Sequence, residues 1–296
     1  MKKFALAALG LAFAASATPA LAANYCPAGG AIRFGVEPFE SNAVLTPIYA
    51  KVGALISAEV GCPVHIYIAT SYNAEIEAMR AGKLEMGQFG PLGYVLAHQV
   101  ADAQAIATVA DANGNPSTYT ASIATWPGSG ITTLAQVKGH TFGYSDPAST
   151  SGHLFPAYAL AAAGIDPNKG VTPLYSGSHT ASYEALLNHK VQAGEMNSQV
   201  VNAATLAGQY DPKNFVVLWQ SKPIPLDPIA VYGKMNPVLK ARLITALQHL
   251  KLTTLTPAEQ KVLGTPSGEL VPQNDASYDQ IRSLVSVLHI NLSKLS

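Results

Sequence analysis

The chain has 296 residues, of which 48% are apolar and only 12% charged, with 18 basic and 18 acidic side chains. That much apolar material can fill one or two buried cores, and it excludes a disordered or fibrous chain. The charges cancel and no Lys/Arg-rich run occurs, which argues against a nucleic-acid groove or a polybasic membrane patch.

Met1-Lys2-Lys3 is a short positive segment, Phe4 to Ala15 an apolar run, and Ala20-Leu21-Ala22 a small-x-small cleavage site. Residues 1–22 read as a secretory signal peptide, too short and wrongly flanked for a membrane anchor. Its removal takes away Lys2 and Lys3 but no acid, so the exported chain carries a net charge of −2. Cys26 and Cys62 are the only cysteines, an even number in an oxidising compartment, and predict one disulfide. Ala23-Asn24-Tyr25 before Cys26 is not a lipoprotein context.

Residues 31–36 read as a buried strand, followed by the loop Glu37 to Asn42. A helix then carries Leu45, Ile48, Val52 and Leu55 on one stripe. Residues 64–68 alternate like a strand. Ser71-Tyr72-Asn73 opens a second helix, residues 85–89 form a short strand, and Gly90-Pro91 opens a third helix. The strand–helix alternation predicts a parallel sheet with right-handed crossovers. Residues 119–124 predict a longer strand leaving this unit, 130–139 a short helix, and 141–144 a strand running into Ser145 to His153. A further set follows: a strand at 171–175, helices near 180–188 and 197–208, and a strand at 215–219. Ile229 to Tyr232 is a return strand. Asn236-Pro237 caps a helix with Leu239, Leu243, Leu247 and Leu250, and a last helix carries Tyr278, Ile281, Leu284 and Val285.

The expectation is an α/β chain of two lobes, one built from 23–118 and 228–296 and the other from 119–227, joined by two crossing strands. A ligand would bind in the cleft between them. Three strand-to-helix turns are candidates to line it: Ser71-Tyr72-Asn73, Phe89-Gly90-Pro91 and Ser149-Thr150-Ser151-Gly152. A helix start offers free N–H groups and a positive dipole end to an anion, and hydroxyls there add donors. Ser and Thr are equally expected there as plain N-caps, so one such turn alone decides nothing.

The run Asp146 to Pro156 resembles the signature of periplasmic phosphonate/phosphite-binding proteins of ABC importers. So do Tyr72 to Arg80, Phe89 to Ala97, Gly177-Ser178-His179 and Leu226-Asp227-Pro228-Ile229, in the same order across most of residues 31–235. The resemblance implies a type II solute-binding fold and a periplasmic monomer that hands a small phosphorus oxyanion to an ABC permease, with no enzymatic activity and no cofactor. It also implies ligand roles. Tyr72 matches a hydroxyl donor, Ser149, Thr150 and Ser151 a hydroxyl and amide cradle, His179 a histidine donor, and Asp227 a carboxylate that selects protonated oxyanions. Phe89, before Gly90, replaces a tyrosine of aminoalkylphosphonate binders, and Gln199 replaces their ammonium-pairing Glu. Both favour phosphite, hypophosphite or methylphosphonate. Glu195, one turn earlier, would restore the acid.

Other readings are weaker. His153, His179 and His189 lack the close paired spacing of a metal motif, and Ser151 with His179 has no Gly-x-Ser-x-Gly elbow for hydrolysis. Trp126 and Trp219 read as packing residues. A periplasmic oxyanion sensor that signals to a membrane histidine kinase is the alternative on the same fold.

Overall fold

The computed structural model describes residues 25–288; the expected signal peptide lies outside them. β1 (Ile32–Val36) leads into α1 (Asn42–Val60), β2 (Val64–Ile68), α2 (Tyr72–Arg80), β3 (Met86–Gln88), α3 (Pro91–Ala101) and β4 (Gln104–Val109). The chain then crosses on β5 (Thr118–Tyr119) to β6 (Ala121–Thr125), β7 (Thr141–Tyr144), α4 (Phe155–Ala162), β8 (Thr172–Tyr175), α5 (His179–Leu187), β9 (Ala193–Asn197), α6 (Ser198–Leu206) and β10 (Val216–Gln220). It returns on β11 (Ile224–Pro225) to β12 (Ile229–Val231), α7 (Pro237–Leu247), α8 (Pro257–Val262), β13 (Leu270–Pro272) and α9 (Asp279–Val287).

Two sheets result, in the orders β13-β4-β12-β3-β1-β2 and β10-β6-β9-β7-β8. The fold is α/β and two-lobed, with the two crossing strands β5 and β11 paired antiparallel between the lobes. The sheets are mixed rather than parallel. β1 pairs parallel with β2 and β3, and β7 with β8 and β9, but the return strand β12 runs against β3 and β4, and β6 against β9. A strand that arrives by a hinge crossing has no helical crossover to set its direction.

The predicted strand at 119–124 breaks at Thr120. Its N–H donates to Ser198 Oγ (3.1 Å) and its carbonyl accepts from Ser198 N (3.0 Å), so the start of α6 replaces a strand partner there. The helix expected at 130–139 shrinks to one 3-10 turn, Leu134–Val137. The Gln136 side chain takes the amides of Thr132 and Thr133, and left-handed Gly130 and Gly139 bound the segment on both sides. β4, α8 and β13 have no counterpart in the sequence reading.

The first lobe has one continuous core, in which Ile32, Phe34 and Val36 of β1 meet Leu45, Ile48, Val52 and Ile56 of α1. α1 is long and apolar enough to meet a membrane-span criterion, but this face packs on the sheet. In the second lobe, helices on both faces divide the core in two, one part around Phe142, Tyr144 and Leu160, the other around Tyr183, Leu186 and Phe215. Trp219 packs against the first-lobe core and the Phe142 part of the second, and Trp126 stacks on His189 at 4.2 Å between centroids. Cys26 and Cys62 form the expected disulfide. Closing that 36-residue separation stabilises the fold by about 3–4 kcal/mol in the chain-entropy account.

Candidate functional site

The C-terminal ends of β1, β3 and β7 converge with the second crossing, where α/β folds place their ligands. After β7, Asp146 Oδ1 accepts the Ala148 amide at 2.8 Å, and Ser149 Oγ accepts the Gly152 amide at 3.1 Å. The Leu154 amide reaches back five residues to the Ser149 carbonyl (3.1 Å), a π turn that widens the start of α4. Gly152 is required by space, because a Cβ there would fall 1.7 Å from Ser145 Oγ.

Ser149, Thr150, Ser151 and His179 are all buried and come together. His179 Nε2 lies 3.4 Å from Ser149 Oγ and 3.5 Å from Ser151 Oγ, while Asn197 Nδ2 donates to Ser151 Oγ at 3.1 Å. His179 Nδ1 lies 2.9 Å from Glu195 Oε1. Burial alone would depress the imidazole pKa, but the Glu195 carboxylate, with Glu40 and Asp227 beyond it, outweighs burial and raises it. Tyr72 opens α2 from the other lobe; its buried hydroxyl faces Ser149 and has no hydrogen-bond partner.

The lobes touch across this cluster. Thr150 Oγ1 accepts the Leu92 amide at the start of α3 (2.8 Å), the His179 amide donates to the Phe39 carbonyl (3.2 Å), and the Thr180 hydroxyl donates to Glu40. Thr150 is therefore a clasp between lobes as well as a member of the cradle.

Carboxyl groups form the floor. Gln88 Nε2 donates to Asp227 Oδ2 (3.0 Å), and burial pushes the Asp227 carboxyl up to about 7 against the opposing pull of His179 and Gln88. Glu37, at the end of β1, and Glu75, on α2, are buried, and burial with mutual repulsion among these acids raises both well above the usual carboxylate range. Glu75 lies over Gly35 and Gly87, and Glu37 over Gly90.

The other expected residues sit differently. The Phe89 ring is fully buried and folds over Gly87, where it packs in the core of the first lobe. Gly90 touches the Glu37 carboxyl. Gln199 is apart from the cradle, in an open groove of about 350 Å³ lined with Thr118, Tyr119, Asn202 and Lys261 at the crossing strands. Tyr119 links the two places, since its hydroxyl faces Ser151 and Thr150. Sequence reading missed Tyr119, Asn197, Glu37 and Glu75. The one available signal was position: Glu37 and Asn197 at strand ends, Tyr119 at the crossing, and Glu75 in the first turn of α2. His153 donates through Nδ1 to the Pro147 carbonyl (2.8 Å) and packs on Tyr144 and Tyr175. Among the described residues no His, Cys, Asp or Glu group has metal-holding geometry.

Residues 34–278 match the family described as ABC transporter, phosphonate, periplasmic substrate-binding protein. The chain is 25% identical over 274 residues to the phosphate-import protein PhnD of Mycolicibacterium smegmatis, covering 86% of this chain and 85% of that protein. A binding protein component of an ABC phosphonate transporter from Pseudomonas aeruginosa superposes with a TM-score of 0.76 at 25% identity, over 88% of this chain and 86% of the other. PhnD1 from Prochlorococcus marinus in complex with methylphosphonate gives the same TM-score at 19% identity, over 88% and 98%. The chain therefore belongs to the periplasmic substrate-binding proteins of phosphonate ABC transporters, a non-enzymatic family whose members work with a membrane permease.

Proposed function

We propose that this protein captures a small phosphorus oxyanion without an amino tail (phosphite, hypophosphite or methylphosphonate) and delivers it to its permease. The observation that carries the reading is the buried, unpartnered Tyr72 hydroxyl facing Ser149, whose own hydroxyl, with that of Ser151, lies beside His179 Nε2. A buried hydroxyl without a partner costs about 1–3 kcal/mol, and a ligand oxygen between the lobes would remove that cost. Ser149, Thr150, Ser151 and Tyr72 supply neutral donors, His179 the positive charge, and Asp227 an acceptor for a protonated ligand oxygen. Phe89 brings no hydroxyl and Gln199 no charge, so an alkylammonium tail gains no ion pair from either.

Binding draws the lobes together, with the crossings at Thr118–Thr120 and Pro225–Pro228 absorbing the motion, and the closed form is the one the permease receives. Support for a phosphorus ligand comes from the family match and from the methylphosphonate held by the Prochlorococcus relative. Calorimetry with phosphite, hypophosphite, methylphosphonate, 2-aminoethylphosphonate, phosphate, sulfate and arsenite tests the reading. One of the first three should bind tightest. Tighter binding of 2-aminoethylphosphonate would reject the assigned preference and point to Glu195 as the ammonium partner.

A further inference from the structure

We propose that Glu37 is a further specificity-determining residue of the cleft: its carboxyl sits at the start of α3 as a hydrogen-bond donor to the bound oxyanion, so capture requires the proton it carries. The proposal rests on the oxyanion reading above and concerns a residue outside the motifs that suggested it.

Glu37 follows β1 directly, and its side chain folds onto the first turn of α3. A Cβ on Gly90 would lie 2.7 Å from Oε1, and one on Gly93 would lie 3.4 Å from Oε2. The carboxyl faces the Gly90 amide, and its Oε2 is buried and has no partner. The carboxyl thus occupies the helix start that an anion would otherwise use. The titratable groups close enough to act on it electrostatically come from both lobes: Asp227 before β12, Glu75 and Tyr72 on α2, Tyr49 on α1, Asp146 after β7 and Tyr119 on β5. None of these brings a positive charge. An ionised Glu37 would set a full negative charge against the ligand in a poorly solvated cleft. As the neutral acid it keeps a carbonyl-type oxygen for the Gly90 amide and turns an O–H on Oε2 toward the ligand. The raised pKa of this group agrees with that assignment.

Hypophosphite separates the protein's proton from the ligand's, because it remains a monoanion throughout the working pH range. Its affinity is measured by calorimetry from pH 6 to 9 for the wild type, Glu37→Gln and Asp227→Asn. Wild-type affinity should fall with a limiting slope of about tenfold per pH unit for each group that must be protonated. Glu37→Gln, whose amide accepts and donates in the same places at every pH, should bind about as tightly as the wild type at pH 6, lose that part of the slope, and bind more tightly than the wild type at pH 9. Asp227→Asn should retain the Glu37 part. Parallel curves for wild type and Glu37→Gln overturn the proposal while leaving the ligand reading intact. Should Glu37→Gln fail to fold, wild-type titrations in two buffers of different ionisation enthalpy decide the matter, since binding without proton uptake overturns it. If neither hypophosphite, phosphite nor methylphosphonate binds the wild type, the ligand reading falls and the proposal falls with it.

Discussion

Glu195 aims His179. With Oε1 2.9 Å from Nδ1 and the carboxylate fully buried, the imidazole is held so that Nε2 faces Ser149 and Ser151. The pair joins β9 to the start of α5, so the orientation of the one buried base in the cradle is set by the sheet of the second lobe. Glu195 also balances the charge that this base would otherwise carry alone in a poorly solvated site.

The first prediction follows from the sign of the His179 shift. Its pKa is raised, so the cation persists to higher pH than in a free imidazole and is lost as pH rises through the raised value. The stability it contributes is complete below the unfolded value of about 6.5 and disappears over the same rise. Glu195→Gln should move the His179 titration, read by NMR, to lower pH and carry the high-pH loss of oxyanion affinity with it. An inflection that does not move would show that Glu195 does not set the histidine's charge.

Ser151 and Thr150 should fail in different ways although they are neighbours. Ser151→Ala removes a hydroxyl that faces His179 and accepts from Asn197, and should weaken oxyanion binding by about 1.5–3 kcal/mol with the thermal midpoint little changed. Thr150→Val keeps the shape but leaves the Leu92 amide unpaired in the closed form, at a cost of about 1–3 kcal/mol in that form. The ligand-free protein should then be more open, which small-angle scattering would read as a larger radius of gyration. Identical scattering from wild type and Thr150→Val would dismiss the clasp.

Much of the fold was legible because its signals are local. The stripe of Leu45, Ile48 and Val52 gave α1, and Asn236-Pro237 gave the start of α7. What was illegible depends on partners distant in sequence. β5 exists because β11 pairs with it, and Thr120 breaks the strand because Ser198 takes both of its backbone groups. The site divides in the same way. Ser149 to Ser151 form a contiguous motif, and a motif can be matched. Glu37 and Glu75 are single acids that the sequence places in a loop and in the second helix; only the fold turns them inward over Gly90, Gly35 and Gly87. Gln199 and Glu195 lie within five residues, yet the turn from β9 into α6 sends one to the crossing-strand groove and the other to His179.

The last prediction concerns Asp227 and the discrimination between oxyanions. Gln88 takes Oδ2, which leaves Oδ1 for a ligand, and burial has pushed the carboxyl up to about 7. A carboxyl raised in the folded state is a destabilising charge: fold stability declines as pH rises from the unfolded value of about 3.9 toward 7, then levels off. For the ligand, Asp227 and an oxyanion can share one proton. Phosphite or methylphosphonate in its protonated form brings that proton, whereas sulfate at neutral pH does not, and meets the ionised carboxylate as a like charge. Wild type should therefore reject sulfate increasingly as pH rises through about 7 and the carboxyl ionises, with phosphite affinity also falling above neutrality. Asp227→Asn presents an amide that can donate to a fully ionised oxygen. It should admit sulfate and show a shallower loss of phosphite affinity at high pH, with Glu37 and His179 still titrating. Competition calorimetry of sulfate against phosphite at pH 6, 7.5 and 9 checks both halves, and a sulfate rejection as strong in Asp227→Asn as in wild type would remove Asp227 from the selectivity of the site.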